Sequence, residues 1–113
     1  MGKKVLGQAA PSATTPTDLY TVPSDTETVG STITVCNRGA NYSAFRVAVR
    51  PGGASLDDEH YLYYDLAIRG NDTFAATIGM TLAATDVVTV YAADANLSFS
   101  LFGMEVFVES EST

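Results

Sequence analysis

The densest run of ionisable side chains is Asp57-Asp58-Glu59-His60. Three carboxylates and an imidazole carry the atom types that hold a divalent cation. Two features argue against a metal site. Consecutive residues in a strand point to opposite faces, so such neighbours do not converge on one ion. The ligand spacing and central glycine of an EF-hand loop are absent. The run therefore reads as a solvated loop. His60 is the only histidine. As a general base it would need a nucleophile and an orienting carboxylate, and no GxSxG, HExxH or CxxC pattern supplies them. Cys36 closes a β-prone run with no adjacent lysine or histidine to activate its thiol, and reads as a small packing residue. One cysteine excludes an internal disulfide framework and a cysteine-rich zinc site. A chain of 113 residues has little material for a substrate cleft besides its core. The expectation is a non-enzymatic protein with no catalytic residues, no metal and no cofactor.

Arginine and tyrosine offer a different chemistry. Arg46 and Arg50 fall on one side of a strand with Ala48 between them, and Tyr61 and Tyr63 share one side of the next. If those strands pair, the four make an outward patch with Asp65 as a salt partner. These residue types anchor protein interfaces. The same patch could be a sugar platform, or ordinary cross-strand stacking on a solvated face. Phe102 and Phe107 stand out of phase with their neighbours. Either a bulge re-aims them or they bury against a partner.

The elements that carry these residues are strands. Alternation runs through Ser31–Cys36, Ala44–Arg50, Tyr61–Ile68 and Leu97–Leu101, and Val87–Ala92 is a continuous β-prone stretch. Pro23-Ser24-Asp25, Asn37-Arg38-Gly39, Pro51-Gly52-Gly53, Arg69-Gly70-Asn71-Asp72 and Asp94-Ala95-Asn96 punctuate the runs. About seven or eight short strands at even spacing predict an all-β fold, a single antiparallel sandwich that is Ig-like or jelly-roll-like. Gly103 inside the last run predicts a bulge or bend at which that strand could switch sheets. The domain is expected over 18–109, with an extended N-terminal arm over 1–17 and an acidic C-terminal tail over 110–113.

Charge narrows the partners. Six basic residues against thirteen acidic ones give a net charge of −7. A nucleic-acid binder needs clustered Lys and Arg to neutralise phosphates, so that class is excluded. No stretch approaches the roughly 18 apolar residues of a membrane span. After Val5 and Leu6 the leader turns to Gly7, Gln8 and proline-broken small residues. Synthesis in the cytoplasm without a signal peptide is therefore expected. Lys3 and Lys4, the only lysines, sit on the arm with Val5 and Leu6. An arm of this composition orders only against something else. A neighbouring subunit is the expected dock for the arm; for the basic start and the acidic end the readings are a contact between copies or, more simply, two solvated tails. The candidate interface residues are Lys3, Lys4, Val5, Leu6, Arg46, Arg50, Tyr61, Tyr63, Phe102 and Phe107.

The segments DLYTVPSDTETVGSTITVCNRG, FRVAVRPGG, HYLYYD, NDTFAATIGMTLAATDVVTVYA and NLSFSLFGMEV, running from about Leu6 to Val106, resemble a group of small virion proteins of tailed bacteriophages. The shared pattern is an arm ahead of LYTVP, a VCNRG strand end, an FRVAVRP strand and a VTVYA…LSF ending. The resemblance implies a structural component of a phage particle, located in the virion and assembled in the host cytoplasm. A head decoration or cement protein, or a neck-collar subunit, is the leading expectation. A peripheral tail or baseplate protein is the first alternative, and a carbohydrate-binding host-attachment module the second. The implied partners are other virion proteins (major capsid, neck or tail) and further copies of the chain, with no nucleic acid and no membrane. The group carries no catalytic residues to transfer.

Overall fold

The computed structural model of the chain describes residues 2–108. Eight strands account for the alternating runs. Strands β1 (Lys4–Ala9), β2 (Thr17–Thr21), β3 (Thr26–Asn37) and β4 (Ser43–Arg50) form the first half, and β5 (Tyr61–Ile68), β6 (Thr73–Leu82), β7 (Val87–Ala92) and β8 (Leu97–Phe107) the second. β4 pairs with β5, β3 with β6, β2 with β7 and β1 with β8, all antiparallel. The chain is thus one long hairpin, its two arms running side by side. Further pairing of β3 with β8 and β4 with β7 rolls that hairpin into two four-stranded sheets, β1-β8-β3-β6 and β2-β7-β4-β5. This is jelly-roll connectivity, and it decides between the two sandwich types that the strand count allowed.

The two sheets share one core. Ile33, Val35, Leu97, Phe99 and Leu101 from the first meet Phe45, Val47, Val88 and Val90 from the second, all but removed from solvent. Each such side chain contributes about 1.5–3 kcal/mol on burial. The Phe45 ring is central, with ring centroids 5.3 Å from Phe74, 6.1 Å from Phe99 and 6.2 Å from Tyr63. Tyr63 and Phe74, 5.3 Å apart, close the side of the sandwich where the edge strands β5 and β6 lie.

Turn chemistry holds the ends. Asn37 is buried, yet its amide donates to the carbonyls of Asn41 at 2.9 Å and Ile68 at 3.3 Å, and its carbonyl accepts the Gly39 N–H at 2.9 Å. A buried amide satisfied three times over costs little and pins the β3–β4 connection. After β4, Gly52 and Gly53 take φ values of 63° and 73° in a single turn of 3₁₀-helix (Pro51–Gly53), a backbone that favours glycine.

Three expectations change. Residues 4–9 of the expected arm are β1, an edge strand of the chain's own sheet. Leu6 and Ala9 pack against the core, and Gly7 lets β1 close on the Leu19 carbonyl, where a Cβ would collide. The basic start does meet an acid near the far end, but within one chain: Lys4 Nζ lies 2.8 Å from Glu105. The expected tail over 110–113 lies outside the described residues. Finally, β8 stays in one sheet throughout. Irregularity does occur at Gly103, but the extra residues sit in its neighbours. The register slips between Val5 and Gly7 of β1, opposite Leu101–Phe102, and between Gly30 and Thr32 of β3, opposite Phe102–Gly103. Gly103 is required because a Cβ there would run into the Val29 carbonyl oxygen.

Candidate interaction surfaces

The sandwich presents two outer faces. On the β2-β7-β4-β5 face the expected arginine patch forms, with a different set of tyrosines. Arg46 Nε donates to Asp65 at 2.6 Å and Nη2 to the other carboxylate oxygen at 3.2 Å. Its guanidinium carbon lies 4.1 Å from the Tyr64 ring centroid and 4.2 Å from that of Tyr91, so the cation is held between two aromatic faces. The hydrogen bonds to Asp65 raise the Arg46 pKa further and hold the Asp65 carboxyl below its usual value. Tyr63, expected outside with Tyr61, points into the core. Two register slips explain this. Between Phe45 and Val47, β5 takes up an extra residue beside Asp65, whose φ is 53°; between Val47 and Ala48 the extra residue is Leu62. Strict alternation therefore fails along β5, and Tyr61 stacks edge-on against Tyr64 at 4.9 Å.

Arg50 is equally occupied. Nε donates to Thr89 at 3.0 Å, Nη2 to Asp18 at 3.0 Å, and Nη1 to the carbonyls of Gly53 at 3.2 Å and Ala54 at 2.8 Å. These bonds hold the 51–60 connection against the strand. Beneath it, Ala48 and Thr89 are only 1% and 5% exposed although they lie on the outer side of the sheet. The acidic run caps itself here. The Asp57 carboxylate accepts the Asp58 N–H at 2.8 Å, and His60 Nδ1 accepts the Asp57 N–H at 3.0 Å, in a one-turn 3₁₀-helix (Asp58–His60). Among the described residues no three His, Cys, Asp or Glu side chains come together as a metal site. A shallow depression of about 370 Å³ is lined by Asp58, Tyr61 and Tyr64.

The face of the β1-β8-β3-β6 sheet differs in kind. Cross-strand register arranges its outward side chains in rows: Ser98, Cys36 and Thr73; Gln8, Ser100, Thr34 and Ala75; Val5, Phe102, Thr32 and Thr77; then Met104, Val29 and Thr81. None of these is charged, and all are half-buried or exposed with no segment of the described chain over them. Arg38 closes one end, donating to Ser98 at 2.8 Å and to the Ala95 carbonyl at 2.9 Å. At the other end exposed Val29 is followed by exposed Glu27, opposite Val106, and Phe107, 72% exposed, lies in the core-side phase where β8 runs beyond the core. Of the candidate residues, Val5 and Phe102 belong to this surface, while Phe107 is exposed beyond the core in the opposite phase. Sequence reasoning missed Val29 and Met104, because the slip at Gly30–Thr32 that sets the outward phase of Val29 has no composition signal.

One polar cluster stands where β1, β2, β3 and β8 meet. Tyr20 donates its hydroxyl to Glu105 at 2.5 Å and shares a hydrogen bond of 2.8 Å with buried Thr28, while Lys4 pairs with the same carboxylate. Burial and then the bond to Glu105 push the Tyr20 pKa up to about 12. The bonds from Lys4 and Tyr20 hold the Glu105 carboxyl below its usual range. The cluster ties the N-terminal strand down. Lys4 and Leu6 are thereby engaged within the chain, and Lys3 is exposed at its edge.

No helix among the described residues is long and apolar enough to cross a membrane. No family model matches the chain, and no curated protein and no solved structure matches it.

Proposed function

We propose that this chain is a structural subunit of a tailed-phage particle, a head decoration or neck-collar protein attached through the uncharged outer face of its β1-β8-β3-β6 sheet. The observation that carries the reading is that face itself. On a chain of net charge −7, the four rows of outward side chains between Ser98 and Thr81 hold no charged residue, with Arg38 at one end of them and exposed Glu27 at the other. Interface cores are depleted in charge in this way. Repeated copies on a symmetric shell make modest contacts sufficient. The resemblance of Leu6–Val106 to small virion proteins supplies the setting, and jelly rolls are a common capsid architecture. The glycan alternative loses ground, because Tyr63 is in the core and one face of Tyr64 is covered by Arg46.

The test is copy number, by quantitative mass spectrometry of purified particles referenced to the major capsid protein. Copies comparable with the capsid protein support decoration, and a small fixed number supports the neck or, with tail fractions, the baseplate. Absence from particles, with a glycan array signal for the free protein, overturns the structural reading.

A further inference from the structure

A sheet edge is a row of unpaired N–H and C=O groups, and what fits it is another strand. The sandwich has four such edges, and three are blunted. β1 carries Lys4 and a register slip, β2 is five residues long with Asp18 and a slip, and β5 contains Asp65 at positive φ and two slips. Charges and bulges are the devices that keep edges from pairing. β6 is different. From Thr73 to Leu82 it holds no charged residue and no proline; its slip, at Ile78–Gly79 with Gly79 at φ 59°, confines the unbroken register with β3 to Thr73–Thr77 and Met80–Leu82. Among the described residues no backbone pairs with the outer side of this stretch.

We infer that the Thr73–Thr77 edge of β6 pairs antiparallel with the same edge of a second copy, joining two four-stranded sheets into one of eight across a two-fold axis at Ala75. The segment is self-complementary in that register. Thr73 meets Thr77 of the second copy on the outer side, Phe74 meets Ala76 on the core side, and Ala75 meets itself. Thr–Thr pairs are favourable across antiparallel strands, and a large residue opposite a small one packs without collision. Charge selects the occupant. Two copies at −7 repel over most of their surfaces, and the Thr73–Thr77 edge itself carries no charge. An isologous pairing of this kind closes on itself, so it ends at a dimer instead of growing into a fibre. The inference stands apart from the virion reading, since it concerns the isolated chain in solution.

Sedimentation equilibrium of the purified protein at tens of micromolar tests it, with Ala75→Lys and Val29→Lys as probes of the edge and of the open face. The expected result is twice the monomer mass for wild type and Val29→Lys, and the monomer mass for Ala75→Lys with an unchanged thermal melt. A Cys36→Ser, Ala75→Cys protein is expected to oxidise to a covalent dimer, because directly opposed antiparallel Cα atoms lie about 4.5–5.5 Å apart, within disulfide reach. A monomeric wild type, or a dimer that survives Ala75→Lys, overturns the inference. Loss of the dimer in Val29→Lys alone also overturns it, placing the contact on the open face.

Discussion

The two outer faces of the sandwich use their side chains in opposite ways. On the β2-β7-β4-β5 face, charged groups are plentiful and already spoken for: Arg46 by Asp65, Tyr64 and Tyr91, and Arg50 by Asp18, Thr89 and the 51–60 connection. Across the middle rows of the β1-β8-β3-β6 face the side chains are uncharged and uncovered, half of them hydroxyls. Arginine and tyrosine, types enriched in interfaces, signal a binding surface only when they are left unpaired. Here they fasten the chain to itself. The unremarkable threonines and serines are what remain available to a partner.

That comparison can be broken at its supports. Gly103→Val should have the largest effect, about 3 kcal/mol, because the new side chain meets the Val29 carbonyl and must part β8 from β3. A urea midpoint reads it. Arg50→Ala should cost about 1–2 kcal/mol through lost bonds to Thr89 and two loop carbonyls. Faster proteolysis within 51–57 should accompany it, since the connection loses its tether. Tyr20→Phe should cost about 1 kcal/mol at neutral pH, by removing the hydroxyl that joins Thr28 and Glu105.

The pH dependence of the Tyr20 cluster has a definite sign. The folded Tyr20 pKa of about 12 lies above the ordinary 10.0. In the window between them the unfolded chain loses its proton first, so wild-type stability falls as pH rises from 10.0 towards about 12. In Tyr20→Phe that contribution to the slope disappears. Glu105 acts in the other direction. Its depressed pKa means a contribution present above the usual carboxylate value and lost as pH falls through the lowered one. The smallest effect is expected on the open face. Thr34→Lys should change stability by less than about 0.5 kcal/mol, as for a half-buried side chain whose tip opens to solvent. A loss well above that would mean the face is not open.

Much of the scaffold was legible in the sequence. Alternation and turn residues announced the sandwich, and the Arg46–Asp65 pair followed from adjacent strands. The motifs that carry the phage resemblance turn out to be structural: Leu19, Tyr20 and Val22 of LYTVP and Phe45 of FRVAVRP are core, and Asn37 of VCNRG is a buried turn hub. They describe the scaffold and not a site. What stayed hidden has one physical cause. A single extra residue inverts every side chain beyond it, and slips at Leu62, Asp65 and Ser31 moved Tyr63 inward and set the outward phase of Val29. The docking of β1 was hidden for another reason, since a six-residue strand paired across the whole chain with β8 leaves no local signal.

In the proposed attachment the β1-β8-β3-β6 face, and not the arginine face, meets the particle. Copies per particle for Thr34→Lys beside Ser55→Lys test this, each adding one positive charge to an otherwise folded chain. Thr34→Lys should lower incorporation at least about tenfold, a change worth about 1.4 kcal/mol per contact, while Ser55→Lys incorporates like wild type. Full incorporation of Thr34→Lys, or loss in Ser55→Lys alone, would contradict it.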